Sequence, residues 1–149
     1  MEKSFLELVT CANTMNICVI ENNLPWCSPV YFVFDEKFYF FSSPQSIHIL
    51  YGVDKKVSCS VFCDGNETKK IKGVQMRGEI LKPDFKESSK AFLKYIKKFP
   101  FVIKDFGQDF LSFKNKFKAE IFCFDPEYIV YTDNLEGFGN KKILKADNL

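Results

Sequence analysis

Alternation of apolar and polar positions dominates this chain, and helical spacing interrupts it in only a few places. Lys56 to Cys63 sets Val57, Cys59, Val61 and Cys63 against Ser58, Ser60 and Phe62, the period of two that marks a strand. Met15 to Ile20 reads as a strand ended by the turn Glu21-Asn22-Asn23. Two aromatic-rich strands follow, Trp26 to Phe34 and Phe38 to Ser42, joined at Asp35-Glu36-Lys37. Pro25 and Pro29 each withhold a ladder donor, which puts the early part of that strand at an edge or a bulge. Asp64-Gly65-Asn66 is predicted as a hairpin turn into a long strand, Lys69 to Leu81. Its Gly73 and Gly78 mark a bulge, a bend or the close approach of another backbone or ligand. Phe117 to Phe124 and Tyr128 to Thr132, separated by Asp125-Pro126, are the last two predicted strands.

Helical spacing appears first at Ser4 to Ala12, with Phe5, Leu8, Val9 and Ala12 on one side and Ser4 and Glu7 placed as a capping box. A short helix is predicted from Ser46 to Tyr51, closed by Gly52. The clearest helix is Phe85 to Phe99, with Phe85, Phe92, Tyr95, Ile96 and Phe99 in one stripe and Pro100 as its stop. Phe101 to Lys116 fits no single period; a short helix is predicted around Phe106 to Phe113. The whole chain, residues 1–149, reads as one mainly β domain: six or seven antiparallel strands with two or three flanking helices, the make-up of a small barrel.

Composition narrows the function classes. A chain that is 46% hydrophobic and 27% charged is not a disordered one, and eighteen phenylalanines in strand-like stretches predict an aromatic β core. The net charge of +2 does not point to nucleic acid, and the lysine runs at Lys94, Lys97 and Lys98 and at Lys114, Lys116 and Lys118 read as solvated faces. There is no unbroken apolar run near 18 residues and no basic start followed by an apolar core, so neither a membrane nor export is expected. Six cysteines without a C-x-x-C pair fit a reducing cytoplasm with free, mostly buried thiols. One histidine and scattered cysteines lack metal-ligand spacing. Neither a G-x-S-x-G elbow nor a G-x-G-x-x-G or Walker loop occurs.

Few residues remain to carry chemistry. Ser42-Ser43-Pro44-Gln45-Ser46 leads into a helix start, where hydroxyls and free backbone N–H groups suit an anion; equally, Ser46 suits the role of N-cap of its own helix. His48, the sole histidine, follows on the first turn, either a functional imidazole or a packing residue. Trp26 covers a planar ligand or joins the core. Gln75 shares a strand face with Gly73 and Arg77, which either leaves room for a ligand beside two donors or forms a barrel bend with a polar stripe.

Three stretches together resemble a known family: Trp26-Cys27 leading into an aromatic strand with Phe34-Asp35; Gly73-Val74-Gln75-Met76-Arg77-Gly78-Glu79-Ile80; and Tyr128-Ile129-Val130-Tyr131-Thr132-Asp133-Asn134 with Gly137-Phe138-Gly139-Asn140-Lys141. In this order they resemble the pyridoxamine-phosphate-oxidase-like FMN-binding split barrels, most closely the YhbP-like branch. The resemblance implies a six-stranded antiparallel split β-barrel, a homodimer with FMN sites between its subunits, and a flavin-dependent oxidoreductase acting on a small molecule. It places Cys27, Ser28, Pro29 and Val30 beside the flavin ring, Ser42, Ser43, Ser46 and His48 at the phosphate, and Gln75 near the flavin. Relatives that bind flavin usually carry arginine or lysine in the turn, where this chain has Gln45, Ser46 and Ile47. Charge-assisted bonds to a phosphate are about twice as strong as neutral ones, which leaves three outcomes: FMN binds weakly, takes its charge from a lysine elsewhere with Lys141 and Lys142 as candidates, or is absent. Two alternatives stay open: a non-catalytic split barrel holding haem or another planar ligand, and a dimeric module whose flavin site has decayed.

Overall fold

The alternating segments pair into one antiparallel sheet of seven strands: β1 (Thr14–Glu21), β2 (Leu24–Asp35), β3 (Lys37–Ser42), β4 (Lys56–Cys63), β5 (Lys72–Leu81), β6 (Glu120–Asp133) and β7 (Lys141–Ala146). The computed structural model describes residues 2–63, 67–107 and 109–146. The predicted turn Asp64-Gly65-Asn66 lies outside the described residues. Strand order is β3-β2-β1-β4-β5-β6-β7, and β3 also pairs with β6 from Phe38↔Phe124 to Ser42↔Glu120. That pairing closes β1 to β6 into a six-stranded barrel, the architecture the resemblance implied, and leaves β7 as a seventh strand outside the ring.

The strand boundaries correct the sequence reading in three places. The segments predicted as two strands either side of Asp125-Pro126 form one strand, β6, because Pro126 sits opposite Gly78 at a bulge, where a missing N–H breaks no regular pair. The long predicted strand begins at Lys72, after a single 3₁₀ turn over Thr68–Lys70. The tail forms β7 against Tyr128 to Thr132.

The β1–β2 hairpin fixes its own register. Asn22 and Asn23 both have positive φ, 49° and 66°, which asparagine tolerates and which a two-residue hairpin turn of matching twist requires. Glu21 and Leu24 are then the first hydrogen-bonded pair, and such pairs alternate along the ladder. The bond from Phe32 N–H to Asn13 O, 3.1 Å, falls on the same count. Pro25 and Pro29 oppose Ile20 and Asn16, both at the other kind of pair, so their nitrogens point away from β1. On that outer side β2 meets β3 only from Phe32 onward; residues 24–31 form a free edge, as the prolines predicted.

Inward-pointing residues of the strands fill the barrel with Met15, Ile17, Phe32, Phe38, Phe40, Val61, Val74, Phe124 and their neighbours. α1 (Lys3–Cys11) packs Phe5 against Phe34 and Tyr131 near the start of β3. α2 (Ile47–Leu50) sits beyond the end of β3 with His48 and Ile49 buried. A Cβ on Gly52 would lie 2.3 Å from His48 O, so glycine is required there by close approach of the backbone. Ser4 is not the cap of α1: the helix starts one residue earlier, after Glu2, with no side-chain cap.

A second core lies outside the barrel. β3 and β6 turn Tyr39, Ile121 and Cys123 outward against α3 (Phe85–Lys98), α4 (Phe101–Phe106) and α5 (Phe110–Phe117). α3 opens on Asp84, whose carboxylate accepts the Glu87 N–H at 2.8 Å. Its buried stripe is Ser88, Ala91, Phe92 and Tyr95, whereas Phe85, predicted to belong to it, is 78% exposed. The segment without a clear period holds two short helices instead of one. Lys98, read as part of a solvated face, is half-buried: it donates to Ala12 O at 2.5 Å and Phe32 O at 3.2 Å, and burial lowers its pKa to about 8.

Candidate functional site

Strand parity divides the candidate residues into two groups. Cys27 and Pro29 of β2, Gln75 of β5 and Lys141 of β7 are exposed. Register aligns Cys27 with Cys18, Ser58, Arg77 and Tyr128 across β1, β4, β5 and β6. The neighbouring row runs from Pro29 through Asn16 and Ser60 to Gln75 and Val130. Gln75 and Arg77 thus share one outer face, as predicted, three strand spacings or about 14 Å along the sheet from β2. Arg77 lies over the Tyr128 ring, 5.2 Å from its centroid, and these residues border a shallow depression with Gln75. Lys141 pairs with Thr132, two residues along β6 and β7 from the Val130–Ile143 pair. Lys142 is held by Glu2 and Glu136.

The second group gathers where β3 runs into α2. Ser42 is buried, and its hydroxyl lies 2.8 Å from His48 Nε2 and 3.1 Å from Ser46 Oγ. Ser43 Oγ accepts the Gln45 N–H at 3.2 Å. Ser46 stands at the N-cap position of α2 without a side-chain cap bond, so its hydroxyl belongs to the Ser42 cluster instead. Ser28, half-buried, accepts from Trp26 Nε1 at 2.9 Å, and Val30 is buried in the barrel. Trp26 itself is 45% exposed, outside the core.

Burial holds the His48 pKa below its ordinary 6.5, so the ring is neutral at pH 7. A neutral imidazole presents one donor and one acceptor nitrogen, and the 2.8 Å contact uses Nε2 with Ser42. No acidic side chain is bonded to the ring among the described residues, so this is no serine–histidine–acid triad. The unfolded chain takes up a proton more readily than the folded one, so folding loses stability as pH falls below about 6.5. His48→Gln, which keeps an amide partner for Ser42 but does not titrate, is expected to flatten the fall in unfolding free energy that sets in below about pH 6.5. Equal slopes in urea titrations of both proteins would place the acid sensitivity elsewhere.

A cavity of about 390 Å³ opens beside this cluster. Ser42 and Ser43 form one side, and Tyr31, Phe41, Tyr95, Phe101 and Phe113 supply most of the rest. Its volume lies within the range of small-molecule sites, and its make-up, aromatic walls with a few hydroxyls, is typical of them. Sequence reasoning did not find this wall, because two of its aromatic residues, Phe101 and Phe113, lie in the segment without a readable period. The signal that was available is the outward parity of Phe41, which in a barrel closed by β3 demands a covering layer.

No protein-family model matches the chain. A UPF0306 protein from Klebsiella pneumoniae (strain 342) is 28% identical over 134 residues, covering 87% of this chain and 83% of that protein. The UPF0306 protein YhbP of Escherichia coli O157:H7 is 28% identical over 130 residues, covering 85% of this chain and 80% of its own. Among solved structures, a haem-binding protein from Mycobacterium smegmatis superposes with a TM-score of 0.71 at 12% identity, covering 93% of this chain and 55% of that one. An FAD-binding protein from the same organism gives 0.65 at 12% identity, covering 89% and 96%. At such identities these structures speak for the fold alone. No helix among the described residues is long and apolar enough to cross a membrane. The homologues of this chain are thus UPF0306 proteins of the YhbP kind, as the three sequence stretches indicated, and its fold is the split barrel.

Proposed function

We propose that this chain binds a flavin, FMN by preference, or a comparable planar cofactor, and that it works as a flavin-dependent oxidoreductase on a small molecule. The observation that carries the reading is the aromatic cavity bordered by Ser42 and Ser43 at the end of β3. Similar folds whose solved representatives are named for FAD or haem support it. The ring-sized part of the group fits the aromatic wall. The phosphate fits less well: Ser42, Ser43 and Ser46 offer hydroxyls already bonded among themselves or to Gln45 and His48, and no cation stands in the turn. A bound flavin would supply the redox chemistry. The chain's own part would be to exclude water with Tyr31, Phe41 and Tyr95, and to hold a polar edge of the ligand with Ser43. A homodimer with sites between its subunits, lined by Cys27 and Gln75 of the outer face with Ser28 beside them on the opposite parity, is the assembly we propose; the unpaired β2 edge, with Tyr31 and Trp26 exposed, supports it.

The neighbour named for haem favours one further reading, a haem-holding barrel without turnover. His48 fits that role poorly, because Nε2 is engaged by buried Ser42.

The test is titration of the purified protein with FMN, FAD and haem, read by absorption, flavin fluorescence and thermal unfolding. FMN is expected to saturate and to raise the melting temperature; a ligand at a hundred times its Kd stabilises by about 2.7 kcal/mol. A haem-only response transfers the site to the second reading. Indifference to all three overturns both and leaves the decayed-site alternative.

A further inference from the structure

Cys18 and Cys27 face each other directly across the β1–β2 ladder, with their sulfurs 3.1 Å apart. The hairpin count makes them a pair without mutual backbone hydrogen bonds, the kind in which opposite Cα atoms approach to about 4.5 Å. That spacing lies inside the roughly 4.4–6.8 Å that a disulfide spans. Cys27 stands exposed on the free edge of β2, and Cys18 is half-buried beside it. Of the remaining thiols, Cys59 and Cys123 are buried, Cys11 is exposed on α1, and Cys63, half-buried, ends β4.

We propose that Cys18 and Cys27 form a reversible cross-strand disulfide, closed by exchange with a low-molecular-weight disulfide of the glutathione type. The exposed Cys27 thiolate attacks the small disulfide, forming a mixed disulfide and releasing one small thiol, which takes up the first proton. Cys18 then attacks the Cys27 sulfur, the protein bridge closes, and the second small thiol leaves with the second proton. Two electrons pass to the small disulfide, and two protein thiols become one bridge. Burial, with the adjacent Cys27 sulfur adding to it, pushes the Cys18 thiol up to about 11. This suits a resolving role, since conversion of Cys27 to the mixed disulfide removes its share of that effect. The bridge ties the free arm of β2 to β1 in the register the chain already holds. Nothing in it depends on a bound cofactor.

The experiment exposes the full, reduced chain to a graded excess of oxidised glutathione. Free thiols are expected to fall from six to four, the intact mass to drop by two hydrogens, and peptide mapping to join Cys18 to Cys27. Dithiothreitol restores all six. Cys18→Ser is expected to trap a stable glutathione adduct on Cys27, and Cys27→Ser to give neither bridge nor adduct on Cys18. Amide exchange over residues 24–31 slows in the oxidised protein. A thiol count that stays at six, a lasting adduct on the wild-type chain, or a bridge mapped to another pair overturns the proposal; the wild-type map decides it without either variant.

Discussion

Replacing Gly78 with alanine is expected to cost about 3 kcal/mol, the upper range of overpacking, and to do so through the backbone alone. Gly78 occupies the bulge at which β5 passes Asp125 and Pro126 of β6. A Cβ there would lie 2.1 Å from Asp125 O and 2.8 Å from Pro126 Cα. Neither atom belongs to a flexible side chain, so relief requires β5 and β6 to part, in a stretch where β6 also carries the closure with β3. Gly73 on the same strand is the control. Its nearest neighbours stand at 3.7 Å, ordinary contact, so Gly73→Ala is expected within about 1 kcal/mol of wild type, its methyl also restricting the unfolded chain. Urea unfolding of the two variants reads the contrast. Similar midpoints would mean that the bulge yields and is not a fixed joint of the barrel.

Phe92→Ala should be costlier still, about 4 kcal/mol, and its effect should be unevenly spread. Phe92 is buried between α3, β3 and α5, with ring centroids 6.1 Å from Phe41, 5.4 Å from Phe110 and 5.7 Å from Phe113. Truncation leaves a void in the outer core while the barrel interior keeps its own set of contacts. Native-state amide exchange should therefore show α4 and α5 losing protection well before β1 and β4. Uniform loss across both cores would show that helices and barrel unfold as one unit. Phe41 and Phe113 also wall the cavity, so the same variant is expected to weaken any ligand it holds.

The barrel was legible because its signals are local. The alternation of Lys56 to Cys63, the turn residues at Asp35-Glu36-Lys37 and Gly78 of β5 each state their geometry within a few positions, whereas Gly73 marks neither a bulge nor a close approach. The continuity of β6 was not, since Asp125-Pro126 reads as a break until Gly78 is brought opposite it by pairing. The tail strand depends likewise on a partner, Tyr128 to Thr132. For the site, the sequence singled out Ser42, Ser46 and His48 but assigned them to an anion; folding turns their polar groups toward one another. The nearness of Cys18 and Cys27 was readable in principle. A two-residue Asn22-Asn23 turn makes paired positions count outward from Glu21 and Leu24, and the two cysteines fall at equal steps from it.

The two prolines of the hairpin have a consequence for how this molecule lives among copies of itself. An open sheet margin templates strand addition, the first step toward fibrils. Along residues 24–31 every second N–H points outward, and Pro25 and Pro29 delete two of the four donors that an incoming strand needs. A neighbouring strand cannot zip along this margin in register. Whatever meets it must do so through side chains, which favours a defined, finite assembly over an endless one.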